Sequence, residues 1–182
     1  MDEFVVKTQI EGLLVLKRPI HNDERGFFKE IFHINEIESA LGFQFKGLQM
    51  NHSFSLPKVL RGIHAEAWNK IVYPLTGEAF IAIADIRPQS PTFGKVETFT
   101  INDDNRIALF ISNGLANSFC VTGKEPVHYV YLVDAYYDGT DTRAIALDDP
   151  DLKINWPIKD PIISQRDKNN PKLRDLFPEK FK

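Results

Sequence analysis

The chain has 182 residues, a formal net charge of −3 and a sequence pI near 6.0, which excludes a global cationic surface for nucleic acid. Its hydrophobic residues, 43% of the total, suffice for the core of one domain, and a single cysteine, Cys120, excludes an intramolecular disulfide. No apolar run reaches the roughly 20 residues of a membrane span, and no signal sequence follows Met1. We therefore expect one cytoplasmic domain over residues 1–182 that binds neither nucleic acid nor membrane.

Segments rich in Val, Ile, Phe and Tyr alternate with turn signals along the chain and predict an all-β sandwich or barrel. The predicted strands cover 13–18, 26–32, 45–54, 70–75, 78–86, 95–101, 107–111, 117–121 and 127–133. The sequence NEIESALG predicts one helix, with Asn35 as its N-cap and Gly42 as its stop, and a shorter helix is expected near PKLRDLF. From about residue 148 the chain is proline-rich, which predicts a tail packed on the sandwich rather than a second domain.

The segment VLRGIHAEAWNK places Arg61, His64, Glu66 and Lys70 in an otherwise apolar, strand-like context. A lone histidine in a β protein is more often a hydrogen-bonded structural residue than a functional one, and for His64 the two interpretations start about even. Residues two apart share a face of a strand, so Arg61 and His64 would point to opposite faces. Both can contact one ligand only if the chain twists or bulges locally, which Gly62 would permit.

A metal site can be weighed against known double-stranded β-helix proteins, which usually present two histidines and a glutamate near the first strand pair and another histidine later. Here the first cluster contains only His64 and Glu66, and Asn117 stands where the later histidine would fall. The remaining histidines show no ligand spacing: His21, His33, His52 and His128. We therefore predict neither a metal nor another cofactor.

Other polar and aromatic residues fit either a site or an ordinary structural role. Gln49, Asn51 and Ser53 share a strand face, which suits recognition of a polar ligand or simple contact with solvent. Tyr129 and Tyr131 also share a face, and two core aromatics are the ordinary explanation. A surface ion pair would equally explain Arg25 and Glu30, and a solvated tail would equally explain Asp167.

Several motifs occur in an order that is characteristic of one enzyme family. They are ERGFFKE, QMNHSFS, VLRGIHAE, DIRPQSPTFG, GLANSF, YLVDAYY, DDPDLKINWP and ISQRD. Over nearly its whole length the sequence resembles the dTDP-4-dehydrorhamnose 3,5-epimerases, in a variant with RGIHAE and ANSF where the commoner form has RGLHYQ and AHGF. The resemblance implies a cupin-type jelly roll, a double-stranded β-helix with one or two short helices, and a homodimer with exchanged N-terminal strands.

The resemblance also implies roles for individual residues. It makes His64 the catalytic base, Asp167 its orienting carboxylate, Tyr131 the general acid and Lys70 the residue near the keto oxygen of the substrate. The implied substrate-binding residues are Arg25, Glu30, Gln49, Asn51, Arg61, Asn117, Tyr137 and Arg166, with Tyr136 as the alternative to Tyr137. Two positions depart from the common form: Asn117 replaces a histidine, and Thr142 stands near a ligand-contacting glutamate.

These residues would support cofactor-free epimerisation at C3, C5 or both of a nucleotide-linked 4-keto-6-deoxyhexose, converting dTDP-4-dehydro-6-deoxyglucose to dTDP-4-dehydrorhamnose. A base on one face, an acid on the other and a cation at the developing enolate are what such chemistry requires. The alternatives are a single-centre epimerase on another nucleotide 4-keto sugar, a non-catalytic sugar-nucleotide-binding cupin, and a metal-dependent cupin oxygenase.

Overall fold

The computed structural model describes residues 4–138 and 143–181, so the predicted departure at Thr142 lies outside the described residues. Antiparallel strands make up most of the regular secondary structure of the described residues, which confirms the all-β prediction. The strands are β1 (Val5–Lys7), β2 (Leu13–Leu16), β3 (His21–Asp23), β4 (Gly26–Phe28), β5 (Gln49–Ser55), β6 (Leu60–Ala65), β7 (Lys70–Thr76), β8 (Ala79–Asp85), β9 (Val96–Ile101), β10 (Ala108–Ile111), β11 (Leu115–Val121), β12 (Val127–Val133) and β13 (Arg143–Ile145).

Two large sheets face each other across the main hydrophobic core. The six-stranded sheet has the order β1-β2-β10-β7-β12-β5, and the five-stranded sheet has the order β13-β6-β11-β8-β9. Apolar side chains from both sheets meet between them, among them Leu13, Val72, Ile81, Leu109 and Phe119. The β3–β4 hairpin forms a separate two-stranded sheet. Two facing antiparallel sheets of this kind make the predicted jelly roll.

Both large sheets are also covered on their outer faces. Leu14 and Leu16 of β2 point outward and pack with Ile37 of helix α1 (Ile34–Leu41). The tail covers the five-stranded sheet with Phe177 and with helix α2 (Leu173–Leu176). Strands such as β2 are therefore buried along their whole length, and their sequences read as continuous apolar runs rather than alternating ones.

The predicted helix is present, but its N-terminus differs from the prediction. His33 is the N-cap residue, not Asn35, and no side chain caps the first turn. The side chain of Glu38 accepts a hydrogen bond from Phe45 N (2.9 Å) and not from a backbone N–H at the start of the helix. Burial of apolar residues against the six-stranded sheet therefore fixes this helix more than capping does. Its end is as predicted: Gly42 adopts the left-handed conformation (φ 78°).

The predicted strands are confirmed in place, and their ends differ by a few residues. The predicted strand 45–54 begins only at Gln49, because Phe45 packs beneath α1. The strands β1, β3 and β13 were not predicted, since each has three residues and exists through pairing with a neighbour. The segment of β6 was described as strand-like but was not among the predicted strands. Among the described residues, neither α-helix has the length and hydrophobicity needed to cross a membrane.

Candidate active site

A cavity of about 500 Å³ opens between the two sheets and the tail. Its walls come from β6 and β11 on one side, β7 and β12 on the other, and the segment around residues 162–167. Seven of the predicted site residues line it: Arg61, His64, Lys70, Asn117, Tyr131, Arg166 and Asp167. The fold thus brings together residues that are separated by more than 100 positions in the sequence.

An irregularity in strand β6 turns two of these residues toward the cavity. In the pairing with β11, Asn117 lies opposite His64 and Phe119 lies opposite Arg61. The single residue between Asn117 and Phe119 therefore faces two residues of β6. Strand β6 thus has one residue more than β11 in this stretch. The extra residue reverses the alternation of side chains along β6, so Arg61 and His64 both line the cavity. The structure thus contains the local bulge that contact of Arg61 and His64 with one ligand would require.

His64 and Asp167 form a hydrogen-bonded pair inside the cavity. His64 Nε2 lies 2.7 Å from Asp167 Oδ1. The other carboxylate oxygen accepts hydrogen bonds from Ser164 Oγ (2.8 Å) and from Gly62 N (3.3 Å). Burial works to raise the pKa of the Asp167 carboxyl, but the hydrogen bonds from Ser164 and His64 outweigh it and hold that pKa below its usual value. An ionised Asp167 thus fixes the orientation of the imidazole.

Gly62 allows this pair to form, because the carboxylate lies directly above its Cα. A Cβ atom at position 62 would come within 2.5 Å of Asp167 Cγ and Oδ1, closer than real side chains approach. The backbone of Gly62 is not in the left-handed region, so the requirement is purely one of space. The motif RGIH therefore needs glycine so that a distant carboxylate can approach.

The tail delivers Asp167 by pairing with the start of β6. Val59 and Ile162 form a parallel bridge, Leu60 N donates to Ile162 O (2.9 Å) and Ile162 N donates to Lys58 O (2.9 Å). Asp167 follows this anchor in a short 3-10 turn and is buried. The interpretation of Asp167 as a solvated tail residue is therefore wrong for this structure.

Lys70 enters the same cavity from the first position of β7. Only 4% of its side chain is exposed, and its ammonium donates a hydrogen bond to Glu66 Oε2. Glu66 also lines the cavity. Sequence reasoning did not assign Glu66 to the site, although the spacing of a carboxylate four positions before a buried lysine was visible in the motif. The structure thus adds a charged residue to the predicted set.

Two tyrosines on β12 face the cavity in different environments. Tyr129 is stacked on Phe119, with ring centroids 4.2 Å apart, and is almost fully buried. Tyr131 is only partly buried. Burial raises the pKa of Tyr131, the charge of Glu66 raises it further, and the guanidinium of Arg61 acts in the opposite direction. Tyr131 is therefore protonated at neutral pH and able to donate a proton into the cavity.

The inward face of β5 carries the predicted row of polar residues beside Tyr131. Asn51 lies opposite Tyr131 in the strand pairing, and Gln49 donates a hydrogen bond to Asn51 Oδ1 (2.8 Å). Gln49 Oε1 in turn accepts from Tyr137 N (3.2 Å). The predicted shared face is confirmed, although of its residues only Ser53 lines the cavity itself. Substrate contacts for Gln49, Asn51 and Tyr137 stay predictions.

Arg25 and Glu30 lie away from the cavity of the single chain. Arg25 follows β3 in the hairpin turn, pairs with Asp23 (2.6 Å) and leaves 84% of its side chain exposed. Glu30 pairs with Arg18 (2.9 Å) and lies 3.2 Å from His33. Within one chain the structure shows surface ion pairs here, and the predicted substrate contacts of both residues stay untested.

Across residues 4–138 and 143–181, no group of three or more His, Cys, Asp or Glu side chains is arranged to hold a metal ion. The closest approach of two histidines joins His52 Nε2 to His128 Nδ1 (2.8 Å). This pair lies on the outer face of β5 and β12, away from the cavity. The side chains that line the cavity are those suited to proton transfer and to binding an anion.

A family model described as dTDP-4-dehydrorhamnose 3,5-epimerase matches residues 7–175. A protein of that name from Shigella flexneri is 37% identical over 175 residues, which cover 94% of this chain and 96% of that protein. One from Methanothermobacter thermautotrophicus is 34% identical over 182 residues and covers 96% of this chain and 97% of its own.

Solved structures show the same similarity. NovW, a 4-keto-6-deoxy sugar epimerase from the novobiocin gene cluster of Streptomyces spheroides, superposes with a TM-score of 0.91 at 29% identity, covering 97% of this chain and 90% of its own. The Legionella pneumophila epimerase RmlC, in complex with dTDP-4-keto-L-rhamnose, gives a TM-score of 0.87 at 33% identity and covers 96% and 95%. RmlC from Streptococcus suis, in complex with dTDP-D-xylose, gives a TM-score of 0.84 at 34% identity and covers 96% of this chain and 93% of its own. The predicted cupin-type jelly roll is thereby confirmed.

Proposed function

Since the chain belongs to the dTDP-4-dehydrorhamnose 3,5-epimerase family, we propose that it inverts C3 and C5 of dTDP-4-dehydro-6-deoxyglucose, giving dTDP-4-dehydrorhamnose, without a cofactor. One observation carries the proposal. His64 lies on the five-stranded sheet and Tyr131 on the six-stranded sheet, and both line the same cavity. A base and an acid on opposite walls can act on opposite faces of one sugar ring.

In the proposed reaction His64 removes a proton from a carbon next to the C4 ketone. With Nε2 donating its hydrogen to Asp167, the lone pair of Nδ1 is available to accept that proton. The electrons of the broken C–H bond move to the ketone oxygen, and the ammonium of Lys70 stabilises the resulting enolate. Tyr131 then donates a proton to the opposite face of the same carbon, which inverts it. Exchange with solvent restores His64 and Tyr131 before the next event.

The proposed substrate is a sugar nucleotide, as in the relatives whose structures contain dTDP sugars. Arg61 and Arg166 line the cavity and would neutralise the diphosphate, since guanidinium groups suit bidentate contacts with phosphate oxygens. The guanidinium of Arg61 is already positioned by hydrogen bonds to Ser55 Oγ (2.9 Å) and Phe54 O (3.1 Å). We assign the remaining contacts with sugar and nucleotide to Arg25, Glu30, Gln49, Asn51, Asn117 and Tyr137.

We also propose that residues 1–182 act as one cytoplasmic domain and form a homodimer with the N-terminal strands at the interface. The β3–β4 hairpin supports this proposal, because it is separate from both large sheets and leaves 67% of Phe28 exposed. A hairpin that reaches a second copy would cover Phe28 and bring Arg25 toward the partner's cavity. Light scattering of the purified protein tests the proposal: a dimer is expected, and a monomer with full activity would contradict it.

The enzymatic proposal is tested by proton NMR of the protein with dTDP-4-keto-6-deoxyglucose in deuterated water. The expected result is deuterium at C3 and C5 together with the signals of the inverted sugar, at a rate that a chelator leaves unchanged. His64→Ala should abolish both, whereas His52→Ala, on the outer face of β5, should retain them. Label at one carbon would indicate a single-centre epimerase. Binding without exchange would leave only a sugar-nucleotide-binding protein.

A further inference from the structure

Glu66 and Lys70 occupy the two ends of the short connection between β6 and β7, and both line the cavity. A buried ammonium is costly unless a partner compensates its charge, and the carboxylate of Glu66 supplies that partner. An ammonium has three hydrogens to donate, and one of them goes to Glu66. Glu66 therefore holds the group in place and leaves further donors for a ligand in the cavity.

The connection that carries Glu66 is itself firmly held. Asn69 N and Nδ2 donate to the carboxylate of Asp134 (2.9 and 2.6 Å), and Asn69 Oδ1 accepts from Asn113 N (2.9 Å). Gly114 N donates to Glu66 O (3.0 Å). Backbone and side-chain bonds from two segments, one around Asn113 and Gly114 and one at Asp134, thus fix the connection that carries Glu66.

Building on the proposed function, we propose that Glu66 is a positioning residue, which aims the Lys70 ammonium at the enolate oxygen. Glu66 also acts on Tyr131 across the cavity that both residues line, and its negative charge is one cause, after burial, of the raised pKa of Tyr131. Other titratable or charged groups also face the cavity around Tyr131: Arg61, His64, Lys70, Tyr129, Arg166 and Asp167. Of these charges, Arg61 opposes the effect of Glu66 on Tyr131.

Substitution of Glu66 by Gln tests both effects, because the amide keeps the shape of the side chain and removes its charge. We expect kcat to fall about 10- to 100-fold with little change in KM, the range typical for loss of an orienting partner. We also expect the alkaline limb of the kcat–pH profile to move to lower pH, since one cause of the raised Tyr131 pKa is gone. A purely structural ion pair would lower the melting temperature and leave the pH profile in place.

The matched control is Glu78→Gln. Glu78 is a half-buried carboxylate in the β7–β8 turn that accepts hydrogen bonds from Thr122 Oγ1 (2.7 Å) and Asn102 Nδ2 (3.4 Å), outside the cavity. Its substitution should change neither kcat nor the pH profile.

If Glu66→Gln does not fold, Glu66→Asp tests the positioning role of Glu66. The shorter carboxylate retains the charge but cannot hold the ammonium in the same place, so kcat should fall while the alkaline limb stays near its wild-type position. A wild-type kcat in either folded variant would overturn the proposal. An inactive wild-type protein in the NMR experiment would instead remove the proposed function, so the two failures are distinguishable.

Discussion

Tyr131 and Tyr129 share a strand face, yet only one is suited to donate a proton. Tyr129 is stacked on Phe119 and nearly inaccessible, so its ring belongs to the core. Tyr131 borders the cavity, between the opposing charges of Glu66 and Arg61. A two-residue period places both tyrosines on the same side and cannot choose between them. From the residues alone the choice was open, and only the family resemblance pointed to Tyr131.

Tyr131→Phe separates the two proton transfers of the proposed reaction. His64 should still form the enolate and return deuterium with retention, while inverted product falls about 10²- to 10⁴-fold, the usual contribution of a general acid. One NMR time course in deuterated water follows both signals. Tyr73→Phe, in the layer beneath α1, is the control and should behave as wild type. Normal product formation would exclude Tyr131 as the acid.

Gly62→Ala should damage both the fold and the reaction, because its Cβ would press on the Asp167 carboxylate. We expect a loss of about 1–3 kcal/mol in the free energy of unfolding, typical of overpacking, together with slower epimerisation as His64 loses its orientation. Urea unfolding and steady-state rates measure the two effects.

Gly94→Ala provides the comparison for that experiment. Gly94 has open space around its Cα but a φ of 80°. Its substitution should cost about 1–2 kcal/mol through backbone strain and leave the rate unchanged. Equal rates for wild type and Gly62→Ala would show that the close approach of Asp167 does not matter for activity.

At the scale of elements, the tail was the part whose function the sequence predicted least well. Its proline-rich composition indicated a packed, irregular segment, and the residues from 162 to 167 do pack against β6. Irregular segments have no period, so no pattern of residues showed that Asp167 would turn inward, and only the family resemblance pointed to its place beside His64. By contrast, the sequence indicated where β6 could bulge, since Gly62 lies between Arg61 and His64, which can contact one ligand only if the strand bends.

Leu173→Ala tests whether the tail has to be firmly packed for catalysis. Leu173 is fully buried in the layer that holds the tail on the five-stranded sheet. Its truncation should cost about 2–5 kcal/mol and also slow epimerisation well below the melting temperature, because the segment that carries Asp167 loosens. Ile37→Ala, equally buried in α1, should cost similar stability without the loss of rate. Equal rates in the two variants would contradict this role of the tail.

At the scale of the whole molecule, the sequence predicted the two-sheet architecture better than the layers that cover the outer faces of the sheets. Alternating and apolar strands between turn signals specify two sheets with a core between them. They do not specify that α1 and the tail cover the outer faces, because coverage depends on contacts between distant segments. Arg25 and Glu30 likewise lie at the surface of one chain, and their predicted substrate contacts require the second copy of the proposed homodimer.

The acid stability of the molecule should depend on its buried carboxylates. Hydrogen bonds and ion pairs hold the pKa values of Asp85 and Asp167 below the ordinary 3.8, in spite of burial. Such groups stabilise the fold above the unfolded pKa, and this contribution is lost as the pH falls through the folded value. Urea unfolding between pH 7 and the acid range should show a weaker pH dependence in Asp85→Asn and Asp167→Asn, with activity reduced only in the latter.

The exposed Asp148, which pairs with Lys172, is the control for this measurement. Exposed ion pairs contribute little to stability, so Asp148→Asn should keep the wild-type pH dependence. A similar change of the pH dependence in all three variants would mean that the buried carboxylates contribute no more to it than an exposed carboxylate does.

Under the proposed mechanism, the position of Asp167 in the tail determines when a newly made molecule becomes fully active. All thirteen described strands precede this residue in the sequence, so the ribosome adds the carboxylate that pairs with His64 only after the strands of both sheets. A prematurely terminated chain that ends after β13 contains His64, Lys70 and Tyr131, but its imidazole lacks the Asp167 carboxylate. Under the proposed mechanism, full activity is gained only once the tail has been made, and copies that end before Asp167 are much less active.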